Sequence, residues 1–250
     1  MLACAKSDTL SVMQGNTRRF QLIFLVAAIR VVTAGPATGA EPSAANSLAA
    51  TNVHAATAAL LLKFNRNAWS AQKAHDEAVK FGPAILPELI AAASERPRPG
   101  YARMWLVTAI ADIPDPQSAA ALRTLLDDPE EDVRCVAGYY GPRQKSAPLD
   151  QAIAAVAATT HNARFTSYAL LGFLVFRGEA PEGLLAAGLE NGDPRARAAA
   201  ARSLATMASD QSKSRLQALL QDKDNRVRTT ARKVLDAMQP AKQDPPAPGR

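Results

Sequence analysis

The residues able to do chemistry are few and scattered. Histidines stand at 54, 75 and 161, and cysteines at 4 and 135. His75-Asp76-Glu77 sets an imidazole beside two carboxylates, a combination that suits a metal or an acid–base pair. No second histidine lies one helical turn away, and the HExxH pattern is absent. The triplet therefore reads as the solvated face of a helix. Cys135 follows Arg134 directly. A nucleophilic thiol needs a base or a positive field beside it, and on a helix Arg134 points about 100° away. Cys135 reads as a half-buried structural thiol. Neither cysteine has CxxC or metal-type spacing, and no GxSxG, Walker loop or GxGxxG occurs. These residues point to no catalytic group, no metal and no cofactor.

More regular is a set of arginines. Gly-Tyr-Ala-Arg (100–103), Asp-Val-Arg (132–134), Asn-Ala-Arg (162–164), Arg-Ala-Arg (195–197) and Arg-Val-Arg (226–228) share one shape. Arg103, Arg134, Arg164, Arg197 and Arg228 follow one another at intervals of 31, 30, 33 and 31 residues. Counting from each arginine, positions −1, +3, +6 and +7 are apolar or small. In the last unit they are Val227, Ala231, Val234 and Leu235, and in the third Ala163, Ser167, Leu170 and Leu171. At about 100° per residue these positions share one side of a helix. Upstream, Leu122 and Leu126, Leu185 and Leu189, and Leu216 and Leu220 mark a second apolar face. Turns rich in acids, Pro and Gly lie between the two, as in Asp127-Asp128-Pro129-Glu130 and Asp222-Lys223-Asp224-Asn225. Such residues stop one helix and cap the next. Each unit is helix, tight turn, helix, and neither helix buries its apolar face without stacking.

The repeat resembles the HEAT repeat, in particular the short bacterial form also found in HEAT-like bilin lyase proteins. Leu125-Leu126-Asp127-Asp128-Pro129-Glu130-Glu131-Asp132-Val133-Arg134 and the matching run 219–228 carry the likeness. The resemblance implies an all-α fold, a right-handed α-solenoid of stacked antiparallel helix pairs. It also implies that turn aspartates and helix arginines bond along the stack as a ladder. Asp193 and Asp224, each four residues before its arginine, fit that role. Five repeats are expected over residues 83–239. Residues 51–82, less regular, read as an N-terminal helical cap.

The flanks differ in kind. Arg18-Arg19, the apolar run 20–29 and small residues up to Ala40 have the three parts of an export signal, with Met13 an alternative start. About ten apolar residues are too few to span a bilayer of about 30 Å. Residues 1–40 are expected to be removed, leaving no stable membrane span and a periplasmic or secreted protein. Residues 41–50 read as a linker and 240–250, with Pro245, Pro246 and Pro248, as a disordered tail. With 48% hydrophobic residues and 250 in all, the chain buries a sizeable core. A mean hydropathy of −0.11 excludes a polytopic membrane protein. The net charge is +6, too mild to imply nucleic acid by itself.

On the second helices, positions +1, +4, +5 and +8 lie opposite the expected core. They hold Cys135, Gly138, Tyr139 and Pro142 in the second unit, and Phe165, Tyr168, Ala169 and Gly172 in the third. In the last two units they turn basic with Arg202, Arg232 and Lys233. A solvated face carries more charge than the first three units have here. The resemblance puts this strip on the concave wall. It reads either as a groove for a protein partner, anchored by Tyr139, Phe165 and Tyr168 with Arg202, Arg232 and Lys233 holding acidic groups, or as a seam buried by close packing of the second helices. A non-enzymatic interaction scaffold is the leading expectation. A tetrapyrrole-handling protein and a nucleic-acid-binding solenoid are the alternatives.

Overall fold

A computed structural model describes residues 45–96, 100–207 and 209–239, and side chains from His54 onward. The export signal, residues 41–44 and the C-terminal tail lie outside the described residues. Six helix pairs follow one another: α1 (Ala45–Arg66) with α2 (Ala68–Phe81), α3 (Leu86–Ser94) with α4 (Gly100–Asp112), α5 (Pro116–Leu125) with α6 (Glu131–Tyr140), α7 (Ala147–Thr160) with α8 (Ala163–Phe176), α9 (Glu182–Leu189) with α10 (Pro194–Ser203), and α11 (Asp210–Leu219) with α12 (Asn225–Met238). Short 3₁₀ turns lie at 82–85, 141–144 and 204–206, and no strand occurs among the described residues. Each second helix packs on the next, from α2 through α12, while helices of distant pairs stay apart. This is an α-solenoid.

Local chemistry sets the boundaries. Asn67, Asp115, Asn162, Asp193 and Asp224 each cap a helix, their side-chain oxygens accepting from Ser70, Gln117, Phe165, Arg195 and Arg226 N–H. Pro116 and Pro194 follow their caps at the first helical position, where no N–H is needed. Residues 45–50, expected as linker, form the first turns of α1. Their small side chains suit an Ala-rich helix as well as a coil.

The caps correct the repeat register. Arg134, Arg197 and Arg228 each lie four residues after their cap. In the third unit the cap is Asn162, so the equivalent residue is Thr166, not Arg164. The series 103, 134, 166, 197 and 228 is spaced 31, 32, 31 and 31. Positions −1, +3, +6 and +7 of the third unit become Phe165, Ala169, Gly172 and Phe173, all buried. Extended backward, the frame puts buried Ala71, four after Asn67, in the same place on α2. The segment read as an irregular cap is thus built as a further pair.

The ladder exists, but its acids differ from those expected. Asp193 and Asp224 are helix caps. The linking residues lie at −6, as Asp128, Thr160, Asn191 and Asp222. Each side-chain oxygen accepts the N–H two residues on, from Glu130 (2.9 Å), Asn162 (3.4 Å), Asp193 (3.0 Å) and Asp224 (2.8 Å). In the second, fourth and fifth units the slot arginine donates to the −6 carbonyl of its own turn: Arg134 to Asp128 O, Arg197 to Asn191 O, Arg228 to Asp222 O. Asp128 and Asp222 also bind the arginine of the preceding unit. Arg103 grips Asp128 through both terminal nitrogens, and Arg197 binds Asp222 at 2.7 and 2.9 Å. Thr166 is too short for this, and its hydroxyl is buried without a hydrogen-bond partner among the described residues. There the tie passes to Arg164 and Asn162, which bind Glu131 at 3.1 and 2.9 Å, while Arg164 also pairs with Asp132 at 2.6 Å.

These pairs are acid-sensitive. Hydrogen bonds from Arg197 hold the Asp222 carboxyl below the usual carboxylate range, against burial that works to raise it. A carboxylate whose folded value is depressed stabilises the fold at and above its unfolded value, and the contribution is lost as pH falls through the folded value. Asp222→Asn is therefore expected to lower stability at neutral pH and to flatten its loss with acid. Urea unfolding midpoints measured from neutral pH down to pH 3 check this.

Candidate partner-binding face

The corrected register decides which side of each second helix meets solvent. Positions +1 and +4 meet the following second helix. Met104 and Val107, Cys135 and Gly138, and Ala198 and Ala201 are all buried there. A β-carbon at Gly138 would lie 2.8 Å from the Phe165 ring, and one at Gly172 would overlap the Tyr139 backbone carbonyl. α6 and α8 thus meet at backbone distance. Of the two readings of the strip, groove or seam, this part is the seam, and small residues let it close.

Phe165, expected as a partner anchor, is 1% exposed in that seam. Tyr139 is 7% exposed and belongs to an aromatic cluster, its ring centroid 4.8 Å from Tyr140, 5.4 Å from Phe176 and 6.4 Å from Tyr168. The Arg143 guanidinium lies 5.0 Å from the Phe176 centroid and ion-pairs with Asp112. Tyr168 is half-buried beneath the Arg164 guanidinium, 5.7 Å away. Arg232 is exposed at +4 of α12, where no following helix packs among the described residues. With Thr229 and Asp236 it makes this side of α12 polar.

Positions −2, +2, +5 and +9 lie on the side away from the first helices, and in the last three units all but buried Ala199 are at least partly exposed. On α8 these are Arg164, Tyr168, Leu171 and Val175, on α10 and the 3₁₀ turn after it Arg195, Ala199, Arg202 and Thr206, and on α12 Arg226, Thr230, Lys233 and Ala237. Val175 is 48% exposed. Arg195, Arg226 and Lys233 are exposed and Arg202 is half-buried. Of the residues singled out from sequence, Tyr168, Arg202 and Lys233 belong to this face, and Tyr139 sits at its edge. Leu171 and Val175 escape the sequence reading because Arg164 imitates a slot arginine, and Arg195 and Arg226 escape it because the arc +1, +4, +5 and +8 leaves out position −2.

His75 is not on a solvated face. It lies at +4 of α2, buried against Trp105 of α4, with Nε2 3.1 Å from Asp112 Oδ2 and Nδ1 3.1 Å from Asp76 Oδ1. Burial lowers its affinity for a proton, but Asp112 and Asp76 together raise it above the ordinary histidine value. The Cys135 thiol is pushed up to about 12, chiefly by burial. That is the reverse of what a nucleophile or a chromophore attachment point needs. Cys135 is expected to stay unlabelled by a disulfide-exchange reagent in the native protein and to react fully once the chain is unfolded in urea. Among the described residues no cluster of three His, Cys, Asp or Glu is placed to hold a metal ion, and no helix is long and apolar enough to cross a membrane.

The family model described as HEAT repeats matches residues 181–247. No curated protein matches the chain. Among solved structures, a designed armadillo repeat protein in complex with the peptide (KR)4 aligns with a TM-score of 0.44 and 14% identity, over 72% of this chain and 98% of that one. Human deoxyhypusine hydroxylase in complex with glycerol aligns with a TM-score of 0.30 and 18% identity, over 79% and 91% of the two chains. The matched segment spans α9 to α12, the last two of the six pairs, so the likeness to HEAT repeats covers that part of the chain, whose caps, −6 turns and slot arginines recur in the earlier pairs.

Proposed function

We propose that this chain is an exported, non-enzymatic scaffold that holds a protein partner on the solvent-facing side of its second helices. One observation carries the reading. The outer positions of α8, α10 and α12 hold an apolar ridge, Tyr168, Leu171 and Val175, next to Arg195, Arg202, Arg226 and Lys233, and hold no carboxylate. Aromatic side chains and arginines together are the usual anchors of protein interfaces. A stack of helix pairs offers broad surface and little enclosed volume, which suits a macromolecular partner better than a small substrate. Export to the periplasm or beyond rests on the basic, apolar and small-residue segments of residues 18–40.

The test is site-specific photocrosslinking in the native cell, followed by fractionation. A photoreactive residue at Leu171 or Thr230 is expected to give a discrete adduct in the exported fraction, and one at exposed Gln151 on α7 none. Equal adducts from Gln151, or none from Leu171 and Thr230, would contradict the proposal.

A further inference from the structure

We infer that the partner presents an acidic polypeptide segment with an apolar anchor, laid across the second helices of the last three units. The inference rests on the face assigned above and names what that face recognises.

Arg195 and Arg226 occupy −2 in successive units, and Arg202 and Lys233 occupy +5. Two positions seven residues apart lie about 10.5 Å apart along one side of a helix. Packed helices lie about 8–10 Å apart. The four cations therefore mark the corners of a near-square lattice about 10 Å on a side. A polyproline II chain has three residues per turn and advances about 3.1 Å per residue, so every third side chain returns to the same side about 9.3 Å further on and matches that spacing. Arg195, Arg226 and Lys233 are exposed, and none of the three has a side-chain carboxylate partner among the ion pairs described above.

The rest of the face sets position and direction. Upstream of the lattice on α8, Tyr168, Leu171 and Val175 form the apolar ridge. Further upstream the equivalent positions carry Asp76, Asp112 and Asp132 among Lys73, Lys80 and Arg143, and the three carboxylates pair with His75, Arg143 and Arg164. Mixed, paired charge of this kind offers an acidic chain less than Arg195, Arg226 and Lys233 do, which favours the C-terminal half. The ridge also favours polypeptide over nucleic acid. Leu171 and Val175 have no π-face for a base and no charge for a phosphate, whereas an apolar side chain packs on both.

The test uses the full chain and a fluorescent peptide with a Phe-Leu head and a tail of Glu and Gly. The same peptide with Lys for Glu, and oligothymidylate, serve as competitors. The Glu peptide is expected to bind in a salt-sensitive way. Arg195→Glu with Arg226→Glu is expected to raise its Kd about tenfold or more, and Lys233→Glu alone to weaken it less. Val175→Asp is expected to weaken the peptide with the apolar head but not one lacking it. Circular dichroism verifies that each variant folds. Should the double variant fail to fold, Lys233→Glu and the salt dependence decide. The inference is overturned if the Lys peptide binds as tightly, if oligothymidylate binds more tightly than the Glu peptide, or if neither charge reversal nor salt alters binding. A crosslink from Leu171 without any binding of the Glu peptide overturns the chemistry alone. Loss of both overturns the face itself.

Discussion

Arg103→Ala is expected to destabilise the fold by about 3–5 kcal/mol, the cost of breaking a buried ion pair by removing one partner. Arg103 is 0% exposed. Its Nε donates to Ala93 O at 2.9 Å, its terminal nitrogens bind the Asp128 carboxylate, and Glu130 lies 2.9 Å from Nη1. Burial works to raise the Asp128 carboxyl. Arg103 and the Glu130 N–H outweigh it and hold the group below the ordinary carboxylate range. Without the guanidinium, Asp128 keeps the Glu130 N–H but, as a charged partner, only Arg96, 3.2 Å away and half-exposed, and the Ala93 carbonyl loses its donor. A cavity adds to the cost. Arg103→Lys keeps the charge but loses the bidentate fork and is expected to fall between wild type and Arg103→Ala. Arg134→Ala, which removes a partly exposed side chain bonded to two turn carbonyls, is expected to cost about 1 kcal/mol. Denaturant unfolding of the three variants checks the order. Arg103→Ala within about 1 kcal/mol of wild type would contradict the buried pair.

Gly172→Ala offers a test of sign. Glycine inside a helix costs about 1 kcal/mol relative to alanine, so propensity alone predicts stabilisation. The structure predicts the opposite. A β-carbon at Gly172 would overlap the carbonyl and Cα of Tyr139 on α6, and backbone there has no rotamer to yield. Overpacking of this kind costs about 1–3 kcal/mol, occasionally more. We expect Gly172→Ala to lower the thermal midpoint and Gly172→Val to lower it further or prevent folding. Gly183→Ala is the control. Its β-carbon would lie 3.7 Å from Ala154 Cβ, an ordinary contact, and the substitution is expected to be neutral or stabilising. Equal stability of Gly172→Ala and wild type would mean that α6 and α8 do not approach at backbone distance.

Much of the fold is legible in the residues. The core positions −1, +3, +6 and +7 are right because a 3.6-residue period leaves little freedom once one member is fixed. The register of the third unit goes astray because Asn-Ala-Arg imitates Arg-Ala-Arg. Two signals in the sequence correct it: Asn162 lies four before Thr166 as Asp193 lies four before Arg197, and Thr160 takes the −6 place held by Asp128, Asn191 and Asp222. Each of these can bind its own backbone two residues on. The seam between second helices is harder to read. A row of Cys, Gly and Ala suits a shallow groove and a close helix contact equally, and only the approach of Gly172 to Tyr139 separates them. Arg232 looked like a binding residue because it is basic and opposite the core. It is exposed because, among the described residues, no further helix packs on α12. His75 becomes intelligible only once the frame is carried back to Ala71, which turns it toward Trp105 and Asp112.

Mapping amide shifts of isotope-labelled protein on addition of the Glu-rich peptide tests the working face most directly. The account predicts changes concentrated on α8, α10 and α12 around Leu171, Arg195, Arg202, Arg226 and Lys233. Changes centred on α7, α9 and α11, or on the Thr229, Arg232 and Asp236 side of α12, would contradict it.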